Sequence, residues 1–233
     1  MSAVLESKRS AAEFAKEMES IRARYSVVTT RFAQDLKEGK APLAAVKGLA
    51  VQTYYMTVRT GAPCIGKPYG FRDASGEILR TAIANAVGEI GYTGDAPHAF
   101  LARNMCYGLG MTDEEIEATP ITPEMYGYIE MMSLNNRTNV PRLRGAIEIT
   151  EADSAYSSQL VADACRKHYG LDDDGVRYWL VHGYADLEHG EENARIAHAL
   201  CPTREDEDRV LAAATRAIKT RRIVWESFAS FYG

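Results

Sequence analysis

The sequence predicts one all-α domain of seven or eight helices spanning residues 1–233. Three observations carry that expectation. Apolar residues recur at three- and four-residue steps through most of the chain, the mark of amphipathic helices. No segment alternates apolar and polar residues between hairpin turns, and there is no internal repeat or low-complexity linker. The 233 residues, 46% hydrophobic and 25% charged, suffice for one substantial core.

From Ala11 to Lys37 the stripe Phe14, Met18, Ile21, Tyr25, Val28, Phe32 and Leu36 predicts a single helix, ended by Gly39 and Pro42. A second helix follows through LAAVKGLAVQTYYMTV, and Gly61, Pro63, Gly66, Pro68 and Gly70 predict a loop after it. Helical spacing resumes in SGEILRTAIANAVGEI, is interrupted by GYTGDAP, and returns in HAFLARNMCYGL and in PEMYGYIEMMSL. A long helix is expected from Pro141 to Tyr169, with Asn139 as its cap and Gly170 closing it. The segment LDDDGVRYWLVHGYADLEHGEENARIAHAL reads as one helix opened by acids that favour the positive end of its dipole. In the last helix Thr203 is the cap, with Asp206 three residues on, and Arg216, Lys219, Arg221 and Arg222 crowd its end.

Composition narrows the partners. Lys and Arg total 27 against 32 Asp and Glu, a formal net charge of −5, with no basic cluster to neutralise phosphates, so no nucleic-acid partner is expected. No apolar run reaches the roughly 20 residues that span a bilayer, and the start lacks an apolar signal region, so the chain is expected to be cytoplasmic and off the membrane. The cysteines, Cys64, Cys106, Cys165 and Cys201, form no C-x-x-C pair, which fits a reduced compartment without disulfides or structural zinc.

The chemistry concentrates in few residues. Of five histidines, two lie in His182-Gly-Tyr-Ala-Asp186-Leu-Glu-His189, an H-x3-D-x2-H arrangement on one predicted helix. At about 100° per residue, His182, Asp186 and His189 fall within roughly 60° around the axis and project to one side. Imidazole and carboxylate are ligands that iron, manganese and zinc accept. The flanking Tyr178, Leu180, Val181 and Ala185 mark a core helix, where an unpaired Asp would be costly. On the helix from Pro141, Glu151 shares a stripe with Ile147, Ser154, Ser158, Val161 and Cys165, whereas Glu148 lies about 60° round the axis. Glu89 ends one helix and His98 starts the next. Glu89, His98, Glu151, His182, Asp186 and His189 together supply three imidazoles and three carboxylates, sufficient for two divalent metals with positions left open.

The spacing E-x8-H, a single Glu on a helix ending in KHYGL, and H-x3-D-x2-H resemble the haem-oxygenase-like diiron oxidases, relatives of the TenA and PqqC proteins, over about residues 40–200. The resemblance implies a haem-oxygenase-like (TenA/PqqC-like) helical bundle holding two Fe(II) per chain with O2 as co-substrate. It also implies oxidation of a small amino-acid-like or fatty-acid-like carboxylate by desaturation, N-oxygenation or C–C cleavage, in the manner of biosynthetic enzymes. The six residues match the family's ligand positions one by one, with Glu89, Glu151 and Asp186 as the catalytic carboxylates. A homodimer is expected because helical domains of this size often dimerise, and the reading accommodates an external reductant.

Relatives on the same scaffold set the alternatives. With no histidine before His98, the proximal ligand of a haem oxygenase is missing. GAIEITEAD carries no counterpart of the active-site cysteine of TenA-type hydrolases, and PqqC-type cofactor-free oxidases need no set of six metal ligands. A ferritin-like bundle would use paired E-x-x-H motifs; Asp186-Leu-Glu-His189 and Asp95-Ala-Pro-His98 mimic them, but Pro97 breaks a continuous helix. Arg144 is the expected substrate anchor: seven residues before Glu151, it returns to within roughly 20° of the same face about 10 Å away, near a helix start where a cation wants an anion. His198, about 180° round from His189, is expected to be solvent-exposed and His168 to serve a helix end.

Overall fold

The computed structural model describes residues 7–64, 75–91, 96–137 and 140–232; inside its helices nothing is described of the side chains of residues 61–64, 77, 78, 81, 82, 85, 136, 137, 140–145, 147, 148, 184–193 and 196. Ten α-helices form among the described residues: α1 (Ala11–Tyr25), α2 (Arg31–Lys37), α3 (Leu43–Cys64), α4 (Gly76–Glu89), α5 (His98–Gly108), α6 (Asp113–Ala118), α7 (Pro123–Arg137), α8 (Val140–Tyr169), α9 (Arg177–Ala199) and α10 (Arg204–Phe231). Eight exceed ten residues, in line with the expected seven or eight, and no strand occurs among the described residues.

The stretch predicted as one helix over residues 11–37 is broken. Ser26 is extended (φ −50°, ψ 136°), a 3-10 turn covers Val27–Thr29, and Thr30 Oγ1 caps α2 by accepting from Ala33 N. The run Ser26-Val27-Val28-Thr29-Thr30 explains this, because β-branched side chains and local hydroxyl bonds compete with helix. Pro63 does not stop α3, which reaches Cys64; the remainder of the expected loop, residues 65–74, lies outside the described residues. The short helix α6 is absent from the sequence reading, although Thr112 and Glu115 form a reciprocal capping box. The acids of residues 172–174 make a turn rather than the first turn of a helix: Asp172 Oδ1 accepts from Gly175 N, and α9 begins at Arg177. Thr203 caps α10 by accepting from Asp206 N, as expected.

The long helices α8 and α10 pack along each other and carry the bundle. Two apolar clusters flank them. Phe14 and Met18 of α1 join Ile149, Val210, Leu211 and Ile218 in one; Phe32, Leu36, Leu49, Met105, Ile129, Val161, Trp225 and Phe228 form the other. Burying each such side chain contributes about 1.5–3 kcal/mol, so these clusters are the main source of cohesion. Gly48 is required by a close approach: a Cβ there would lie 2.2 Å from the Tyr232 ring, whose hydroxyl accepts from Gln52 Nε2. That contact seats the chain's end on α3. Between the clusters lies a buried ion pair, in which Arg221 Nη1 donates to Asp153 Oδ2 at 2.6 Å. The sequence assigned Arg221 to a helix end, but α10 continues to Phe231, and Arg221 lies on its buried stripe with Ala214, Ile218, Trp225 and Phe228.

Candidate metal centre

Glu89 is the last residue of α4 and His98 the first of α5. Gly91 (φ 77°) begins the turn between them, and Pro97 fixes the entry into α5. Pro97 caps α5, which opens at His98; Asp95 of the ferritin-like E-x-x-H alternative lies outside the described residues. The turn brings the two side chains together, with His98 Nδ1 3.0 Å from Glu89 Oε2.

His182 arrives from α9. Its Nδ1 lies 2.7 Å from the Tyr178 carbonyl oxygen; a carbonyl only accepts, so Nδ1 donates and Nε2 keeps its lone pair. The His98 and His182 rings meet edge to face at 4.6 Å, and the Tyr178 ring tilts against His182 at 4.2 Å. Burial, aided by the neighbouring His98, holds the His182 pKa below its ordinary value, which favours the neutral ligand form. One ligand atom each from Glu89, His98 and His182 lies within 4.8 Å of the others. Two imidazoles and a carboxylate, partly shielded from solvent, suit a first-row transition metal.

Glu151 borders the same cavity as Glu89 and His182. Asp186 and His189 lie on α9, which runs unbroken past both, so the helical register their spacing requires is kept; their side chains fall outside the described residues, as do those of Arg144 and Glu148. Of the six expected ligands, the structure therefore brings three together and sets a fourth on the shared cavity. His198 departs from expectation: its side chain is 15% exposed, with Nε2 2.9 Å from the Arg9 carbonyl and 3.2 Å from Glu207. Lys8, Arg9 and Glu207 of α10 cover it. His168 is exposed at the end of α8 as expected.

The cavity has a volume of about 140 Å³. Leu49, Met56, Met125, Met132, Trp179 and Phe228 form its apolar wall, and Thr53, Tyr128, Ser154, Ser158 and Arg221 contribute polar groups. Met105 belongs to the core, accepting from Trp179 Nε1 at 3.0 Å. Among the described residues no cysteine lines the cavity; burial pushes the Cys106 and Cys165 thiols up to about 12 and Cys201 up to about 11. Arg221 was missed as a cavity residue, although its place on an apolar stripe at three- and four-residue steps was a usable signal.

An all-α bundle with a partly buried Glu-His-His cluster, placed so that it could hold a metal ion, beside a small cavity is the class that fold and site define. The chain belongs to the iron-containing redox enzyme family, whose profile matches residues 47–222. No curated protein matches it. Solved structures similar in fold include the following three. A domain of unknown function with a heme oxygenase-like fold from Shewanella denitrificans shares 18% identity at a TM-score of 0.77, covering 96% of this chain and 94% of that one. A CADD-like protein of unknown function from Nostoc punctiforme shares 18% at 0.74, covering 95% and 99%. A TenA homolog from Pseudomonas syringae pv. tomato shares 13% at 0.78, covering 97% and 98%. The fold is thus haem-oxygenase-like, as the sequence resemblance implied. Among the described residues, no helix is long and apolar enough to cross a membrane.

Proposed function

We propose that the protein is a non-haem diiron oxidase or oxygenase that uses O2 to oxidise a small carboxylate-bearing substrate by desaturation, N-oxygenation or C–C cleavage. The observation that carries this reading is the convergence of Glu89, His98 and His182 within 4.8 Å, two of them on the wall of the 140 Å³ cavity. Glu151, Asp186 and His189 complete the proposed ligand set for two irons. Held by these residues, ferrous iron would supply the electrons for O2 chemistry, with an external reductant as their source. The chain's own part is to hold the ligands, exclude water and keep the substrate close. The Tyr178 carbonyl fixes the His182 tautomer, Tyr178 and Trp179 pack beside it, and the methionine-rich wall keeps the chamber dry.

A metal-free hydrolase or cofactor-free oxidase is the second reading, favoured by the similarity in fold to a TenA homolog. The cavity's lack of a cysteine among the described residues weighs against the hydrolase form of it. Anaerobic Fe(II) titration followed by exposure to O2 tests the proposal. Two irons per chain with an O2-dependent absorbance change are expected; no bound iron would leave the metal-free reading, and loading far beyond two would indicate storage.

A further inference from the structure

We propose that Arg221 is the carboxylate anchor of the cavity and that the substrate is a short acid whose apolar part is about the size of a six-carbon group. The inference rests on the reading that this cavity is the chamber of the metal centre. Arg221 is only 8% exposed, yet it lines the cavity. Its Nη1 donates to Asp153 Oδ2 at 2.6 Å and its Nη2 to Ser157 Oγ at 2.8 Å. Neither Asp153 nor Ser157 lines the cavity, so both hold the guanidinium from behind. These bonds use two of its five N–H groups, and the planar fork is held in one orientation before any ligand arrives.

Charge points the same way. Arg22 pairs with Glu19 at 2.6 Å and comes only to 3.9 Å from the other oxygen of Asp153, so Asp153 serves chiefly Arg221. Glu89 and Glu151 are committed to the metal centre in the proposed reading. Arg221 is then, among the described residues, the cation on the cavity wall, and it keeps N–H groups for a ligand anion beyond those given to Asp153 and Ser157. A guanidinium fork suits a planar carboxylate bidentately. Size supplies the second half of the inference. A cavity of about 150 Å³ accommodates one benzene ring, and this one measures about 140 Å³, with Met56, Met125 and Met132 closing around the apolar part. A long-chain fatty acid exceeds that space, so the geometry favours amino-acid-sized or short-chain acids.

Calorimetric titration of the metal-free protein with straight-chain carboxylates of four to fourteen carbons, and with hexan-1-ol, tests this without turnover. Hexanoate should bind at least tenfold more tightly than hexan-1-ol, and affinity should collapse by dodecanoate. Arg221→Gln should weaken hexanoate at least tenfold and leave hexan-1-ol unchanged, while Arg209→Gln, on the exposed face of α10, should have little effect. Dodecanoate binding as tightly as hexanoate, no binding of any acid to the wild-type protein, or a loss no larger for Arg221→Gln than for Arg209→Gln would overturn the proposal. If Arg221→Gln does not fold, Arg221→Lys keeps the charge without the fork and should still lower the hexanoate preference, and the wild-type series remains decisive by itself. Iron stoichiometry separates the two readings: hexanoate bound through Arg221 in a protein that takes up no iron would end the diiron proposal and leave this one standing.

Discussion

Glu89 Oε2 and His98 Nδ1 lie 3.0 Å apart across the junction of α4 and α5, one at the last residue of its helix and the other at the first of the next. Helix ends set their backbones, and the turn between them sets the separation. His182 completes the group from α9, 93 residues further along the chain than Glu89, so only a tertiary contact, its ring against that of His98, holds it there. Tyr178 ties the two sides together, its carbonyl orienting His182 and its ring lying edge-on to His98 at 6.2 Å.

The ligand set predicts how iron is lost. Glu89→Ala, His98→Ala, His182→Ala, Asp186→Ala and His189→Ala should each remove at least one iron per chain, because an opened coordination position also unbalances the local charge. Helical circular dichroism should be retained, since the apolar clusters do not depend on these side chains. Iron analysis after anaerobic loading checks it, and full stoichiometry in the three α9 variants would remove the diiron proposal.

Glu151 and Glu148 should behave differently. Glu151 borders the cavity, and Glu148 lies about 60° round the helix axis from it. Glu151→Ala should reduce O2 consumption by Fe(II)-loaded protein by more than the roughly 10–100-fold typical of losing a ligand's hydrogen-bond partner. Glu148→Ala should stay within about threefold of wild type on the same scale. Oxygen-electrode rates with both variants decide, and the reverse pattern would show that the register assigned to α8 is wrong.

The buried pair Asp153–Arg221 should dominate stability at the centre of the bundle. Asp153 is fully buried, accepting from Val27 N at 3.3 Å as well as from Arg221. Asp153→Ala strands the guanidinium and should cost about 3–5 kcal/mol. Joint replacement as Asp153→Leu with Arg221→Met removes both charges and should recover a substantial part. Urea unfolding midpoints measure the three proteins; a midpoint unmoved by Asp153→Ala would contradict the pair's structural role.

Alkaline pH should weaken the fold through its thiols. Burial raises Cys106 and Cys165 from an ordinary value of 9.0 to about 12. Above about 9 the unfolded chain releases these protons while the folded chain keeps them, so the unfolded state binds fewer protons and stability falls as pH rises. The stabilisation is complete below that value and is lost on the way to about 12. Denaturation midpoints at pH 8 and pH 10.5 should differ, and Cys165→Ala should reduce the difference. The same burial predicts that Cys106, Cys165 and Cys201 react with Ellman's reagent at pH 8 only after unfolding; rapid reaction of any of them in the native protein would reopen a nucleophilic role.

Much of the architecture was legible in the sequence because helix formation is local. Four-residue hydrogen bonds and apolar stripes define α3, α5 and α10 wherever they later pack, and the helical period sets the relation of His182, Asp186 and His189 along α9. The break at Ser26 was equally local, yet the apolar stripe running through Val28 and Phe32 concealed it. Which charges enter the core was decided only in three dimensions. Asp153 and Arg221 look like ordinary surface residues of helices until α8 and α10 pack together and bury them side by side. The cavity has the same origin: residues of α3, α4, α7, α8, α9 and α10 line it, and no single segment carries its shape. Sequence by itself determined the helices and proposed the ligands; tertiary packing decided their convergence, the buried ion pair and the size of the chamber, because those depend on faces brought together by distant parts of the chain.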